Sequence, residues 1–172
     1  MAFVQELVVV ALSGVTALGA ALVGGVFFAF SGFVMRALGE LDAAGGMRAM
    51  QAINRTAVRA PLMLLLFGTL LAGLASCVLL AVADAGHALW WGVAAEAVYL
   101  VGVVGVTIGF HVPRNDALAA VDAARPDATA AWLSYRVAWT RGNHVRVLAG
   151  AAAALLFGAA GVQLLVTSGS FA

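Results

Sequence analysis

The chain has no lysine, one cysteine and three prolines, and only 10% of its 172 residues carry a charge. The lone Cys77 excludes an intramolecular disulfide and a thiolate cluster for metal. A net charge of +1 excludes the dense basic surface that nucleic acid demands, so no nucleic-acid partner is expected. Met1 to Glu6 holds no basic residue, and the apolar run after it outlasts a signal-peptide core, so it reads as a retained span. No internal repeat is visible, which argues against a transporter built on repeated halves.

Hydrophobic side chains make up 64% of the sequence, and a mean hydropathy of +1.05 lies far above that of a soluble domain. The expected solvent is the lipid bilayer. Apolar runs at about 7–35, 61–83, 89–110 and 145–167 are each long enough to cross about 30 Å of hydrocarbon. The expected fold is all-α, an integral membrane four-helix bundle forming a single domain over 1–172. Four spans and two loops account for nearly all of this length.

All nine arginines fall in two places. Arg36, Arg48, Arg55 and Arg59 lie between runs one and two, and Arg114, Arg125, Arg136, Arg141 and Arg146 lie between runs three and four or at their ends. These two loops share a side, which the positive-inside rule makes cytoplasmic. The expected location is therefore the cell membrane, multi-pass, with both termini outside. Apolar residues recur at helical spacing in both loops (Met47, Met50, Ile53; Trp132, Tyr135, Trp139), so amphipathic helical segments are expected there. Gly45-Gly46 is expected to break the first segment, and Pro113 and Pro126 to start or stop helices in the second. Small residues four apart, Gly25 with Ala29 and Gly105 with Gly109, would permit close helix contact.

This topology brings polar groups to one depth. Run three ends at His111, run four begins after His144, Asn54 precedes run two, and Arg36 ends run one. A pocket there would be walled by Phe27, Phe28, Phe30 and Phe33, with Trp132, Tyr135 and Trp139 from the second long loop. Tyr135, Trp139, Asn143 and Arg146 follow i, i+4, i+8 and i+11 and share one helix face, from which His144 points about 100° away. A plainer reading makes the aromatics an interfacial belt and the arginines headgroup anchors. Two imidazoles are a minimal start for copper, iron or zinc, but no metal-ligand spacing surrounds His111 or His144. Glu96 lies within run three, fifteen helical residues or about 22 Å from His111, and is expected to be buried and hydrogen-bonded to neighbours such as Thr16 or Gln163.

Four segments taken together carry a family resemblance: GVFFAFSGFVMRAL from Gly25, MQAINR from Met50, HVPRNDAL from His111 and WLSYRVAWTRGNHVR from Trp132. The chain resembles the anthrone oxygenase family, small four-span membrane proteins that include noranthrone monooxygenase-like enzymes alongside many members of unknown function. The matching positions are Asn54, Pro113, Asn115, Trp139, Asn143 and Arg146, with His111 and His144 beside them. The resemblance implies a monooxygenase using dioxygen to turn an anthrone into an anthraquinone. Its cofactor is unknown: either none is needed, or copper or iron is held by His111 and His144. An anthrone has an acidic methylene, so the chemistry asks for a base, an oxyanion stabiliser and an apolar pocket. His144 or His111 is expected to be the base, and Arg146 and Asn143 to steady the oxyanion. Asn54, Asn115, Tyr135, Trp139 and Phe28 are expected to bind the lipophilic aromatic substrate. The alternative is a non-catalytic accessory protein binding a small molecule or lipid in the same pocket. A homo-oligomer is compatible with either reading.

Overall fold

The computed structural model describes residues 2–59, 61–167 and Gly169. Among the described residues every regular element is helical. Four helices are long and apolar enough to cross a membrane: α1 (Val4–Glu40), α3 (Leu62–Val82), α4 (His87–Ala119) and α5 (Ala128–Thr167). Between the first two lies the shorter α2 (Ala43–Ala57). The spanning helices are apolar on nearly every face, which suits elements whose outer surface meets lipid rather than water. Leu71, Leu148 and Leu155 are among the side chains left facing outward.

The helices overrun the apolar stretches that announce them. At 40 residues, α5 is roughly 60 Å long, about twice the hydrocarbon thickness. Its first half runs alongside the end of α4, and α2 packs against both. The amphipathic loop segments thus take both available forms, a separate helix and extensions of the spans. Gly45-Gly46 does not break α2 but forms its first turn, where Asp42 caps the helix by accepting from the Gly45 amide at 3.0 Å. A side chain at Gly46 would run into the Leu38 carbonyl and the Trp132 ring. Pro113 lies inside continuous helix, directly after a π-wound stretch, Thr107–His111, that absorbs the irregularity. Pro126 does precede a helix start.

Three apolar clusters stack along the bundle. Met35, Leu38, Met47, Met50, Trp132 and Trp139 belong to the one at the end carrying the long connections. Ala20, Phe27, Leu66, Tyr99 and Val103 belong to the middle one, and Val9, Leu80 and Leu164 to the one beside the short hairpin between α3 and α4. Polar groups inside are paired across helices: Ser13 with Ser76 at 2.8 Å, and Tyr99, which donates to the Leu66 carbonyl at 3.0 Å. Gln51 of α2 donates to the carbonyls of Leu118 and Val121, tying α2 to the end of α4. Gly24 on α1 and Gly150 on α5 bring their helices close together, where an added Cβ at Gly150 would lie 2.9 Å from the Gly24 Cα. Of the positions suggested by sequence spacing, Gly25 and Gly109 face open space, and a Cβ at Gly105 would meet only the Leu100 carbonyl of its own helix.

Candidate functional site

Between the first two clusters α1 and α4 leave regular α geometry at the same depth. Phe30–Val34 of α1 and Leu100–Gly105 and Thr107–His111 of α4 are π-wound. Such turns redirect side chains and cluster at functional sites. Here Phe30, Thr107, Ile108 and His111 from these stretches line one cavity of about 170 Å³. Met50, Ile53 and Asn54 of α2 form its roof, Leu62, Met63 and Leu66 of α3 one wall, and Phe27, Trp139 and Arg146 its inner side. Its rim includes Val58, Phe67, Ile108 and Val112, all exposed, so the cavity opens at the outer surface of the bundle through apolar side chains.

Arg146 is the deepest charge in this site. It is 4% exposed and stacks its guanidinium over the Phe27 ring at 4.0 Å, with Trp139 at 5.1 Å. One Nη donates to Asn143 Oδ1 at 2.6 Å and the other to Thr107 Oγ1 at 3.4 Å, while Nε has no hydrogen-bond partner. Among the described residues the one ion pair is Arg125 with Asp127 at the surface, so no carboxylate neutralises Arg146. A buried cation without a counter-ion is costly, and a site that keeps one is suited to an anion.

His111 is 1% exposed, wedged edge-on between Phe110 and Trp139 with ring centres 5.2 and 5.0 Å away. Neither ring nitrogen has a hydrogen-bond partner, although the backbone of Gly142 lies close enough to act on it. Asn115 accepts from Tyr135 Oη at 2.8 Å and Trp139 Nε1 at 3.2 Å, and Asn54 donates to Tyr135 Oη at 3.3 Å. Asn54, Tyr135, Asn115 and Trp139 therefore form one network tying α2, α4 and α5 together over the cavity.

Tyr135, Trp139, Asn143 and Arg146 share the inward face of α5, as their spacing indicates. Asn143, however, does not line the cavity. Its amide donates at 2.6 Å to both the Phe27 carbonyl and Ser31 Oγ while its oxygen holds Arg146, so every hydrogen-bonding atom is used in positioning. His144 does not share a cavity with His111. It is exposed on the far face of α5, in a groove with Arg36, Arg136 and Arg141, because one residue beyond Asn143 the helix has turned about 100°. The two imidazoles thus form no ligand pair, and among the described residues no group of three His, Cys, Asp or Glu side chains is placed to hold a metal ion. Phe28 and Phe33 are each 64% exposed and face outward, leaving Phe27 and Phe30 as the aromatic wall from α1.

Glu96 takes no part in this cavity. Its carboxyl lies against Gly73 and Phe157, and neither oxygen has a hydrogen-bond partner, so the expected bonds to Thr16 or Gln163 are not made. Thr16 instead donates to the Leu12 carbonyl of its own helix. Sequence reasoning did not single out Thr107 or Ser31. The signal for Thr107 was its place one turn before His111, whereas the role of Ser31 depends on the π turn and had none.

A family model described as anthrone oxygenase matches residues 61–156. That segment carries every polar residue lining the cavity except Asn54. No curated protein and no solved structure matches the chain.

Proposed function

The chain belongs to the anthrone oxygenase family, and on that premise we propose that it is a membrane-embedded oxygenase acting on a flat, lipophilic phenolic of the anthrone kind. The observation that carries this reading is Arg146, a buried guanidinium with no carboxylate partner, lining a cavity whose rim opens to lipid. A lipophilic molecule that becomes an anion on losing a proton satisfies both conditions. Neither a neutral lipid nor a soluble anion does.

The cavity, at about 170 Å³, is smaller than the usual range of about 300 to 1,000 Å³. It encloses the reacting edge of a tricyclic molecule, while the remainder lies between Phe67 and Ile108 at the lipid-facing gap. His111, whose imidazole lies beside Arg146, takes the proton from the acidic methylene. Arg146 stabilises the charge on the enolate oxygen, and Asn143 and Thr107 hold the guanidinium in place for it. The electron-rich carbon then reduces dioxygen and bonds to it, giving a substrate hydroperoxide once a proton returns. Loss of water from that hydroperoxide leaves the quinone carbonyl. The methylene and one O2 have become a carbonyl and one water, with no external reductant. Phe27, Phe30 and Trp139 supply the flat walls, and Asn54, Asn115 and Tyr135 form the polar lid.

The gathering of the arginines on these connections supports an orientation with this end of the bundle on the cytoplasmic side of the cell membrane and both termini outside. The test is oxygen uptake by the protein in nanodiscs with an anthrone, where one O2 per anthrone and the absorbance of an anthraquinone are expected. No uptake with several anthrones, by protein whose helicity is intact, would leave the cavity as a small-molecule binding site without this chemistry.

A further inference from the structure

A second cavity lies on the opposite side of Asn143. It is a groove of about 440 Å³ between the end of α1 and the first half of α5. Arg36, Arg136, Arg141 and His144 line it, and no carboxylate stands among its described lining residues. Arg136 rests over the backbone at Gly39, with its guanidinium 5.9 Å from the Trp132 ring. None of the three arginines has an ion-pair partner among the described residues. The floor is apolar, made by Met35, Leu133 and Val137. Leu133 and Val137 are 52% and 53% exposed, and Phe33 nearby on α1 is 64% exposed, so the groove opens beside lipid-facing surface.

We propose that this groove binds the headgroup phosphate of an anionic phospholipid. Three arginines lining one groove, with no carboxylate among the described lining residues, suit the negative oxygens of a phosphodiester. The apolar floor and lipid-facing margin match the glycerol and first acyl carbons behind it, which free phosphate lacks. A basic pocket between helices at the membrane boundary is a setting in which headgroups are held specifically rather than by diffuse attraction. Ser31 lines the groove and also accepts from Asn143, so the bound headgroup sits back to back with Arg146.

The experiment is native mass spectrometry of the protein released from nanodiscs of equal phosphatidylglycerol and phosphatidylcholine. Wild type should retain one phosphatidylglycerol at least about tenfold more often than phosphatidylcholine, and added inorganic phosphate should not displace it. The triple variant Arg36→Gln, Arg136→Gln, Arg141→Gln should lose that preference. A variant of equal charge, Arg48→Gln, Arg55→Gln, Arg125→Gln, should keep it. If the triple variant does not fold, Arg141→Gln alone should weaken retention severalfold. Undiminished retention in the groove variants overturns the proposal. Equal loss in the charge-matched control also overturns it, since general attraction would then suffice. Displacement by inorganic phosphate would make the ligand a free anion and overturn it too.

Discussion

Asn143 holds Arg146 in place: the amide oxygen of the first accepts from an Nη of the second at 2.6 Å, one helical turn apart on the buried face of α5. Because the amide nitrogen of Asn143 is committed to the Phe27 carbonyl and Ser31, its orientation is fixed from α1. Asn143→Ala should cost about 1–3 kcal/mol of stability by leaving the Phe27 carbonyl and the guanidinium short of a partner. Turnover of an anthrone should fall about tenfold to a hundredfold through the loosened arginine. Thermal unfolding in detergent and oxygen uptake check the two effects separately, and unchanged values for both would remove Asn143 as a positioning residue.

Arg146→Gln keeps a polar side chain of similar reach but removes the charge. The value of kcat/KM for anthrone oxidation should drop about 10² to 10³-fold. Arg146→Lys should restore little, since a compact ammonium cannot bond Asn143 and Thr107 while stacked on Phe27. Recovery to near wild-type rates with lysine would mean that charge alone matters, and the argument from guanidinium geometry would fail.

The two histidines should separate. His111→Ala should slow turnover about 10² to 10⁴-fold, as loss of a general base does. His144→Ala should be at least tenfold less harmful, because its ring lies in the groove behind Asn143. Initial rates in the same nanodiscs decide the matter, and equal damage from both changes would return His144 to the reaction.

Gly150→Ala should destabilise the bundle by about 1–3 kcal/mol, because its Cβ would meet the α1 backbone at Gly24 rather than a side chain that can turn away. Gly14→Ala, which meets nothing within 4 Å, should be neutral or slightly stabilising. Comparing the two melting temperatures tests whether this crossing sets the spacing of α1 and α5.

The four helices were legible because hydropathy over twenty residues is a strong signal, and the inward face of α5 was legible because Tyr135, Trp139, Asn143 and Arg146 keep helical spacing. Depth was also legible, which is why His111 and His144 were drawn to one level. Level does not determine direction, and a turn of one residue parts them. The helix crossing was misplaced by a single position, Gly25 for Gly24, since a chain so rich in small residues offers many equivalent spacings. The π turns had no sequence signature to follow, yet they aim Phe30, Thr107 and His111.

Those π turns make the site depend on how the helices are wound, which substitution of a side chain would not reveal. Each closes its hydrogen bond over five residues where an α turn uses four, so α4 stores surplus residues between Leu100 and His111. Deleting such a residue would leave the rest in place, whereas winding the same residues as regular α-helix would swing everything beyond them by about 100° for each surplus residue. His111 and Asn115 would then rotate off the cavity while their identities, and the apolar length needed to cross the bilayer, stayed the same. In this fold a reading frame of side-chain direction is set by one uncounted residue.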